Sequence, residues 1–509
     1  MKNILKHTKI LTTILLLTTS SLFATDTTTK PTVKASMLNN SEVVYHDKPS
    51  TADSISGMFD EGKFYGRLRS NTFYFWWDKQ DTVNEDTHTT SGLGGSVNYK
   101  SATYKGFDFG AGLYYSHGIF QSKEDYLLGW KAGKDVFNRY DYAKTDNKNI
   151  GVLGEAYLRY HITEKSEVAT GRQLVEGFYT KTNDTKMIPN TFDGVVFKSQ
   201  DISKSKMQLS YLAQQKLRHH SQAHAILMRG DCVSDNCSDP TDADQNRIAS
   251  WSQNDDSAMH RGLTYSALKA KGKPTDAPLI TGDFTNKSIE NLKIDGAFYV
   301  VPELISQVMG ELNYKVNFSN FSITPAVRYV KQFDNGAGEV GGASLSGKAN
   351  SVTSSGYKNP DSLDSQMIGA RVVTRFKDIK INIAYTHVLD EADLVTPWRG
   401  FATKSYTRSM ARYNWKANTK SYRIELVKAA NKTGIYEDMY VQTSLLYQDD
   451  DEAKHAGINT DSIYAYIGLM KTFEELNGTQ IRFRVGYEEF LEVSKFDNAD
   501  VRFEVNYFF

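Results

Sequence analysis

At the end of the chain, Val501, Phe503, Val505, Tyr507 and Phe509 are apolar or aromatic, while Arg502, Glu504 and Asn506 between them are polar. A period of two is the signature of a strand whose two faces meet different media. One face this greasy opposite one this charged separates lipid from water. An aromatic last residue on such a strand is the usual finish of an outer-membrane barrel. Similar alternation recurs in segments of roughly ten residues divided by turn chemistry. It predicts strands near 62–76, 90–100, 106–116, 150–161, 166–173, 194–201, 205–216, 277–288, 293–301, 305–318, 320–332, 366–377, 379–389, 418–429, 437–448, 460–472, 479–490 and 500–509. About eighteen strands is an even number, as a single-chain bacterial barrel requires. The fold class is therefore all-β, a transmembrane antiparallel barrel spanning residues 61–509.

Connector lengths support this count. Short turns such as 318–320, 377–379 and 475–478 alternate with long segments, notably 217–276 and the Gly/Ser-rich 333–364. Short turns of such barrels face the periplasm and long loops the exterior. Residues 404–415 look strand-like, but a crossing there would put a long loop on the wrong side. The stretch 390–417 is therefore expected to be an external loop, free to fold inward.

The N-terminus adds a compartment. Lys2, Lys6 and Lys9 precede an apolar Ile10–Leu17 core and a small-residue exit at Ala24. This is the pattern of a secretory signal peptide over residues 1–24. Its apolar core is too short to span ~30 Å of hydrocarbon. Residues 25–60 are polar and read as a mobile or periplasmic leader. No plug-sized domain is expected before the first strand, which argues against an energised transporter with a plug.

Composition changes the picture in three ways. Hydrophobic residues are 40% of the chain and aromatics 12%, with 30 Tyr, 36 Gly and only 10 Pro. That suits strands of which only alternate residues meet lipid. A formal net charge of zero gives no field arguing for nucleic acid. The two cysteines, Cys232 and Cys237, read as a small loop disulfide in an oxidising compartment. The Asp-rich stretch 231–244 around them lacks calcium-loop spacing, so neither metal nor cofactor is expected.

Strand phase also sorts the charges. Arg67, Arg69, Arg159, Arg328, Arg371, Arg375, Arg423, Arg482 and Arg484 fall on the polar, inward face, as do Arg172 and Arg502. Lipid would reject a midplane arginine by ~2–4 kcal/mol, so energy supports the phase. These residues read either as a track for small anions or as wall groups paired with inward Glu155, Glu311, Glu425 and Glu504.

Residues 185–194 (Thr-Lys-Met-Ile-Pro-Asn-Thr-Phe-Asp-Gly) and 396–401 (Thr-Pro-Trp-Arg-Gly-Phe) resemble the OprD family of outer-membrane porins in its epsilon-class bacterial form. The second stretch runs on into Tyr406–Trp415, and the Tyr507-Phe508-Phe509 end matches too. The resemblance covers most of the barrel, but not the 217–276 loop. It implies eighteen strands narrowed by two inward-folded loops, the third and the seventh, here 174–193 and 390–417. It also implies a ladder of basic residues leading small hydrophilic solutes, typically carboxylates or amino acids, past the eyelet by passive diffusion. Arg399, Arg408 and Arg412 are carried over on the second loop, and Arg172 lies beside the first by phase. Glu176, Asp184 and Asp193 on the first loop depart from a purely basic pattern and leave room for zwitterions or cations. The resemblance is compatible with monomers or homotrimers among lipid and lipopolysaccharide.

Other classes remain for comparison. An outer-membrane hydrolase would need a nucleophile elbow or a His/Ser/acid grouping, and the sequence has neither at suggestive spacing. A metal-gated, adhesive or structural surface protein would place its function in the 217–276 and 333–364 loops, and a general ion-conducting major surface protein is a further alternative. If residues 1–24 are removed on export, mass spectrometry of the native protein should find a mature chain beginning near Thr25.

Overall fold

The computed structural model describes residues 34–78, 87–122, 136–137, 146–227, 259–348, 356–430, 438–476 and 478–509. The segment read as a signal peptide, the two cysteines and the acidic 231–244 stretch lie outside them.

Eighteen strands form a closed antiparallel barrel, each pairing with its neighbours in sequence. They are β1 (Lys63–Trp77), β2 (Thr87–Lys100), β3 (Phe107–Gln121), β4 (Asn149–His161), β5 (Ser166–Gln173) and β6 (Thr191–Ser199). Next come β7 (Ser205–Lys216), β8 (Leu279–Asn286), β9 (Leu292–Val301) and β10 (Ile305–Tyr314, resumed at Val316–Asn317). Then follow β11 (Ser322–Asp334), β12 (Ser365–Phe376), β13 (Ile379–Val388) and β14 (Lys420–Lys428). The last are β15 (Met439–Asp449), β16 (Ser462–Phe473), β17 (Thr479–Phe490) and β18 (Asn498–Phe508). All the expected strands are present, with ends shifted by a few residues. β3 runs past its expected end because Phe120 and Gln121 still pair with Ser91 and Thr90 across a bulge.

Closure removes every strand edge, the condition for a sheet to sit in hydrocarbon. The seam joins β18 to β1, with Phe508 opposite Arg67 and Asn498 opposite Trp77. The last residue completes it: the Gly66 and Phe509 amides each donate to the other's carbonyl, at 2.8 and 3.0 Å. A Cβ at Gly66 would lie 2.1 Å from the Phe509 ring, so only glycine lets the terminal aromatic close the seam.

The two faces separate as the alternation requires. Leu68, Val327, Tyr329, Ile368, Val372 and Ile383 are exposed on the outside, while Arg67, Arg69, Arg328, Arg423, Arg482 and Arg484 are buried within. Short connectors after even-numbered strands gather at one end, and the long ones at the other. Two exceptions are the three-residue turn between β9 and β10 and the ten-residue connector between β14 and β15.

The leader differs from expectation where it is described. Residues 34–61 are folded rather than trailing. Ala35–Met37 and Val43–Tyr45 pair as a hairpin, and a short helix, α1 (Ile55–Asp60), is capped by Ser54, whose Oγ accepts from Gly57 N at 3.0 Å. The hairpin packs Ala35 and Met37 against Phe508. Two three-residue strands carry too little periodicity to register in the sequence, so the segment read as plain polar chain.

Val327, in mid-strand and facing out, tests the phase. Val327→Arg should lower the free energy of unfolding from lipid vesicles by ~2–4 kcal/mol relative to Val327→Ala, measured by denaturant titration.

Candidate functional site

Two loops fill much of the barrel at its long-loop end. One is 174–190, between β5 and β6; the other is 389–419, between β13 and β14. These are the third and seventh long connectors. Residues 217–227 and 259–278 of the fourth pack with them around Val175, Ile226, Leu263, Leu268, Trp398 and Trp415.

The two loops join edge to edge. Thr180 bridges Arg399, Lys181 N donates to Trp398 O at 3.0 Å, and Gly400 N donates to Tyr179 O at 3.1 Å. Gly400 is required by this approach, since a Cβ there would fall 2.1 Å from Phe178 O. Tyr179, Tyr299 and Trp398 stack edge to face at 4.9 Å each. The Trp398 indole donates to Ile226 O at 2.9 Å, and the Tyr299 hydroxyl donates to Val395 O at 2.8 Å.

Arginines from the wall hold these loops. Arg67 donates to Asp184 at 2.6 Å, and Arg69 bonds the same carboxylate, the Asp184 carbonyl at 2.8 Å and Glu504 at 2.5 Å. Asn71 donates to Lys186 O at 2.9 Å, so three inward residues of β1 grip the third loop. Across the barrel Arg328 donates to the carbonyls of Ala402 and Lys404, both at 2.7 Å, and pairs with Glu311. Arg371 reaches Ser405 O and Glu311, both at 2.9 Å, and Arg423 reaches Tyr406 O at 3.3 Å. The Tyr406 ring lies under both Arg328 and Arg371, at 4.3 and 4.6 Å. Arg412 ties the seventh loop to Glu488 at 2.5 Å.

The sequence-derived residues therefore fall into groups. Arg67, Arg69, Arg328 and Arg412 are clamps. Arg484 shares Glu504 at 3.5 Å, Arg159 pairs with Asp108 and Glu167, and Arg502 pairs with Asp500. Arg482 bonds the N-terminal hairpin. Arg399 is buried at the junction of the loops with a left-handed φ of 68°.

Arg172 departs from its expected inward place. It pairs across β4 with Ala156, on the same face as exposed Leu158, and forks onto Asp193 with two bonds of 2.6 Å. It is the penultimate residue of β5, and the ion pair with Asp193 holds it on the outward side of the sheet.

Where the two loops come closest the charges are mixed. Lys181 pairs with Glu176 at 2.7 Å, and Glu42 of the hairpin stands 3.7 Å from Lys181. Burial and the adjacent Lys181 ammonium push Lys404 down to about 7, against the pull of Glu176 and Glu42. Sequence reading missed Lys404 and Glu42. Neither belongs to an inward strand row, and only loop folding brings them together.

Beside this narrowing lies an open cavity of about 880 Å³. Its lining carries Lys287, Lys293, Lys315, Arg371, Arg375, Lys380, Arg408 and Arg423 against Glu290 and Glu425. Lys293, Arg371, Lys380 and Arg423 are ion-paired. Arg408 lies over the Phe401 ring at 4.9 Å. Among the described residues, no ion pair engages Lys287, Lys315 or Arg375. Asn39 and Asn40, at the tip of the N-terminal hairpin, line the same cavity.

No protein-family model and no curated protein matches the chain. Solved structures do. OccK9 (OpdG) of Pseudomonas aeruginosa superposes with a TM-score of 0.64 at 14% identity, covering 89% of this chain and 99% of that one. A BenF-like porin from Pseudomonas fluorescens Pf-5 gives 0.63 at 12% identity, covering 89% and 100%. OpdK of Pseudomonas aeruginosa, solved with vanillate, gives 0.60 at 13% identity, covering 88% and 98%. At such identities the likeness establishes the fold.

The clamp on β1 is testable through stability. Arg69→Met leaves Asp184 to Arg67 alone and Glu504 to the longer contact with Arg484, and this weakening of two buried ion pairs should lower unfolding stability by ~3–5 kcal/mol. Pairing that change with Glu504→Gln and Asp184→Asn should recover part of the loss in the same urea titration.

Proposed function

We propose that the protein is an outer-membrane porin through which small hydrophilic solutes, carboxylates above all, diffuse passively. The observation that carries this reading is the 880 Å³ cavity inside a closed barrel, with eight basic and two acidic residues on its wall. A barrel with a charged, open lumen must hold water, and charges beside a low-dielectric wall raise the local concentration of the opposite ion. The carboxylate-bearing vanillate in the OpdK structure suits the same reading.

In this account the unpaired cations, rather than the buried clamps, attract the solute. Lys287, Lys315 and Arg375 face the cavity from β8–β12 and the turns between them. Arg371, Arg408 and Arg423 then lead toward the narrowing formed by Lys181, Lys404, Glu176 and Glu42. Amino acids are also compatible there, because both signs of charge meet within one constriction.

Planar-bilayer reversal potential under a salt gradient tests the proposal. The wild-type protein should conduct and favour anions. Lys315→Gln with Arg375→Gln should shift the preference toward cations, with a smaller shift at high salt, where the Debye length falls to ~3 Å at 1 M. The distal pair Lys269→Gln and Lys271→Gln should change little. An unaltered potential in the cavity variant at low salt would show that the basic wall does not select.

The narrowing should also titrate. Lys404 gains its charge as the pH falls through about 7. Anion preference should therefore rise between about pH 8 and about pH 6, because a buried amine of lowered pKa charges only on the acid side of that value. Lys404→Met should flatten this step while leaving the channel open.

A further inference from the structure

Phe508 stands on the inward face of β18 yet is only 3% exposed. An aromatic on a wet face needs an apolar cover, and Ala35 and Met37 of the hairpin supply it. From this seat the hairpin runs along the inner wall between β2 and β15. Gln480 of β17 donates to Met37 O at 2.7 Å, and Arg482 donates to Asn39 O at 2.5 Å and Ser41 Oγ at 2.8 Å. The Tyr440 hydroxyl of β15 bonds the Asn39 side chain, and Glu42 reaches toward Lys181 of the third loop. At the other end Lys100 lies over the Tyr45 ring at 4.1 Å, and Tyr65 donates to Asp47 O at 2.5 Å. The segment is thus held by β1, β2, β15, β17, β18 and an inward loop.

Its placement gives it a wall side and a cavity side. On the β1, β17 and β18 side the hairpin covers Arg482, and the ion pairs of Arg69 and Arg484 are buried. On the other side its exposed tip, Asn39 and Asn40, faces Arg371, Arg375 and Arg423 across the open cavity. A two-stranded ribbon has strands ~4.8 Å apart, with side chains on both faces, so it occupies a large part of a porin-sized lumen.

We propose that the N-terminal hairpin is a third constriction element and that its Asn39–Asn40 tip is a specificity determinant, forming the amide wall opposite the basic wall. The inference rests on the pore reading above. A carboxylate passing the cavity pairs with the arginines, while its uncharged part meets amides that both donate and accept hydrogen bonds. The hairpin sets the width of that slot, and so the size of solute admitted.

The experiment records single-channel conductance of the full chain and of a variant lacking residues 34–46, with liposome swelling by solutes of graded size. The deletion should raise conductance about twofold or more and admit larger solutes, because conduction and selection in pores follow the open width and its lining groups. A second variant avoids dependence on the deletion's folding: Asn40→Cys, with Cys232→Ser and Cys237→Ser. Its thiolate attacks a sulfonatoethyl methanethiosulfonate, forms the mixed disulfide and releases methanesulfinate. The added bulk and negative charge should reduce current through the open channel, and reductant should restore it. If wild-type channels conduct but the deletion leaves conductance and size limit unchanged, or the modified cysteine variant conducts as before, the hairpin is not a wall of the pore. A wild-type protein that passes no current at all would sink the pore reading itself, and this inference with it.

Discussion

An arginine on the inner wall of a barrel must find oxygen atoms, and here many of those oxygens come from loops. Arg67, Arg69, Arg328, Arg371 and Arg423 each donate to a carboxylate or carbonyl of a segment folded into the lumen. Breaking one such contact would leave a buried charge uncompensated, which costs several kcal/mol. The loops are therefore fixed by the wall's demand for acceptors as much as by their own packing. The narrowing, the cavity beside it and the position of Lys404 all follow from where those carbonyls are held.

The same demand divides the basic residues by role. Those with two or three partners hold wall and loops together, although Arg371 and Arg423 among them also face the cavity. Lys315 and Arg375, which meet water and the cavity, keep a field that is not spent on a neighbour. Paired and unpaired arginines are indistinguishable by strand phase, which reports only the side of the sheet. The decisive difference is the presence of Glu311, Asp184 or a loop carbonyl, brought near from distant parts of the chain.

Much of the fold was legible for a physical reason. Alternation over ten residues is an energetic requirement wherever one face meets lipid, so β11, β12, β17 and β18 declare themselves. Connector parity then kept 404–415 from being threaded through the sheet. Legibility failed where structure depends on tertiary contact. The hairpin at 34–46 has strands too short to show a period, and Arg172 sits at a strand end where phase constrains little. One signal was present and passed over: Phe508 breaks the polar inward row of β18. Phe73 and Phe75 do the same on β1, under Met187 and Ile188 of the third loop. Apolar residues on a wet face mark the places where something inside the barrel covers them.

The seat of the hairpin has a consequence for the order of assembly. Met37 is made early and Gln480 late, 443 positions apart, yet the two are bonded. Phe508, the other half of the seat, is next to last in the chain. Contacts so distant in sequence form slowly, since the intervening chain must be ordered first. The seat does not exist until β18 has joined β1 and the sheet has become a cylinder. The first described element of the chain thus has all its contacts only once the last strand is in place. A barrel still open at its seam has an unoccupied lumen, and a settled hairpin marks one whose wall is complete.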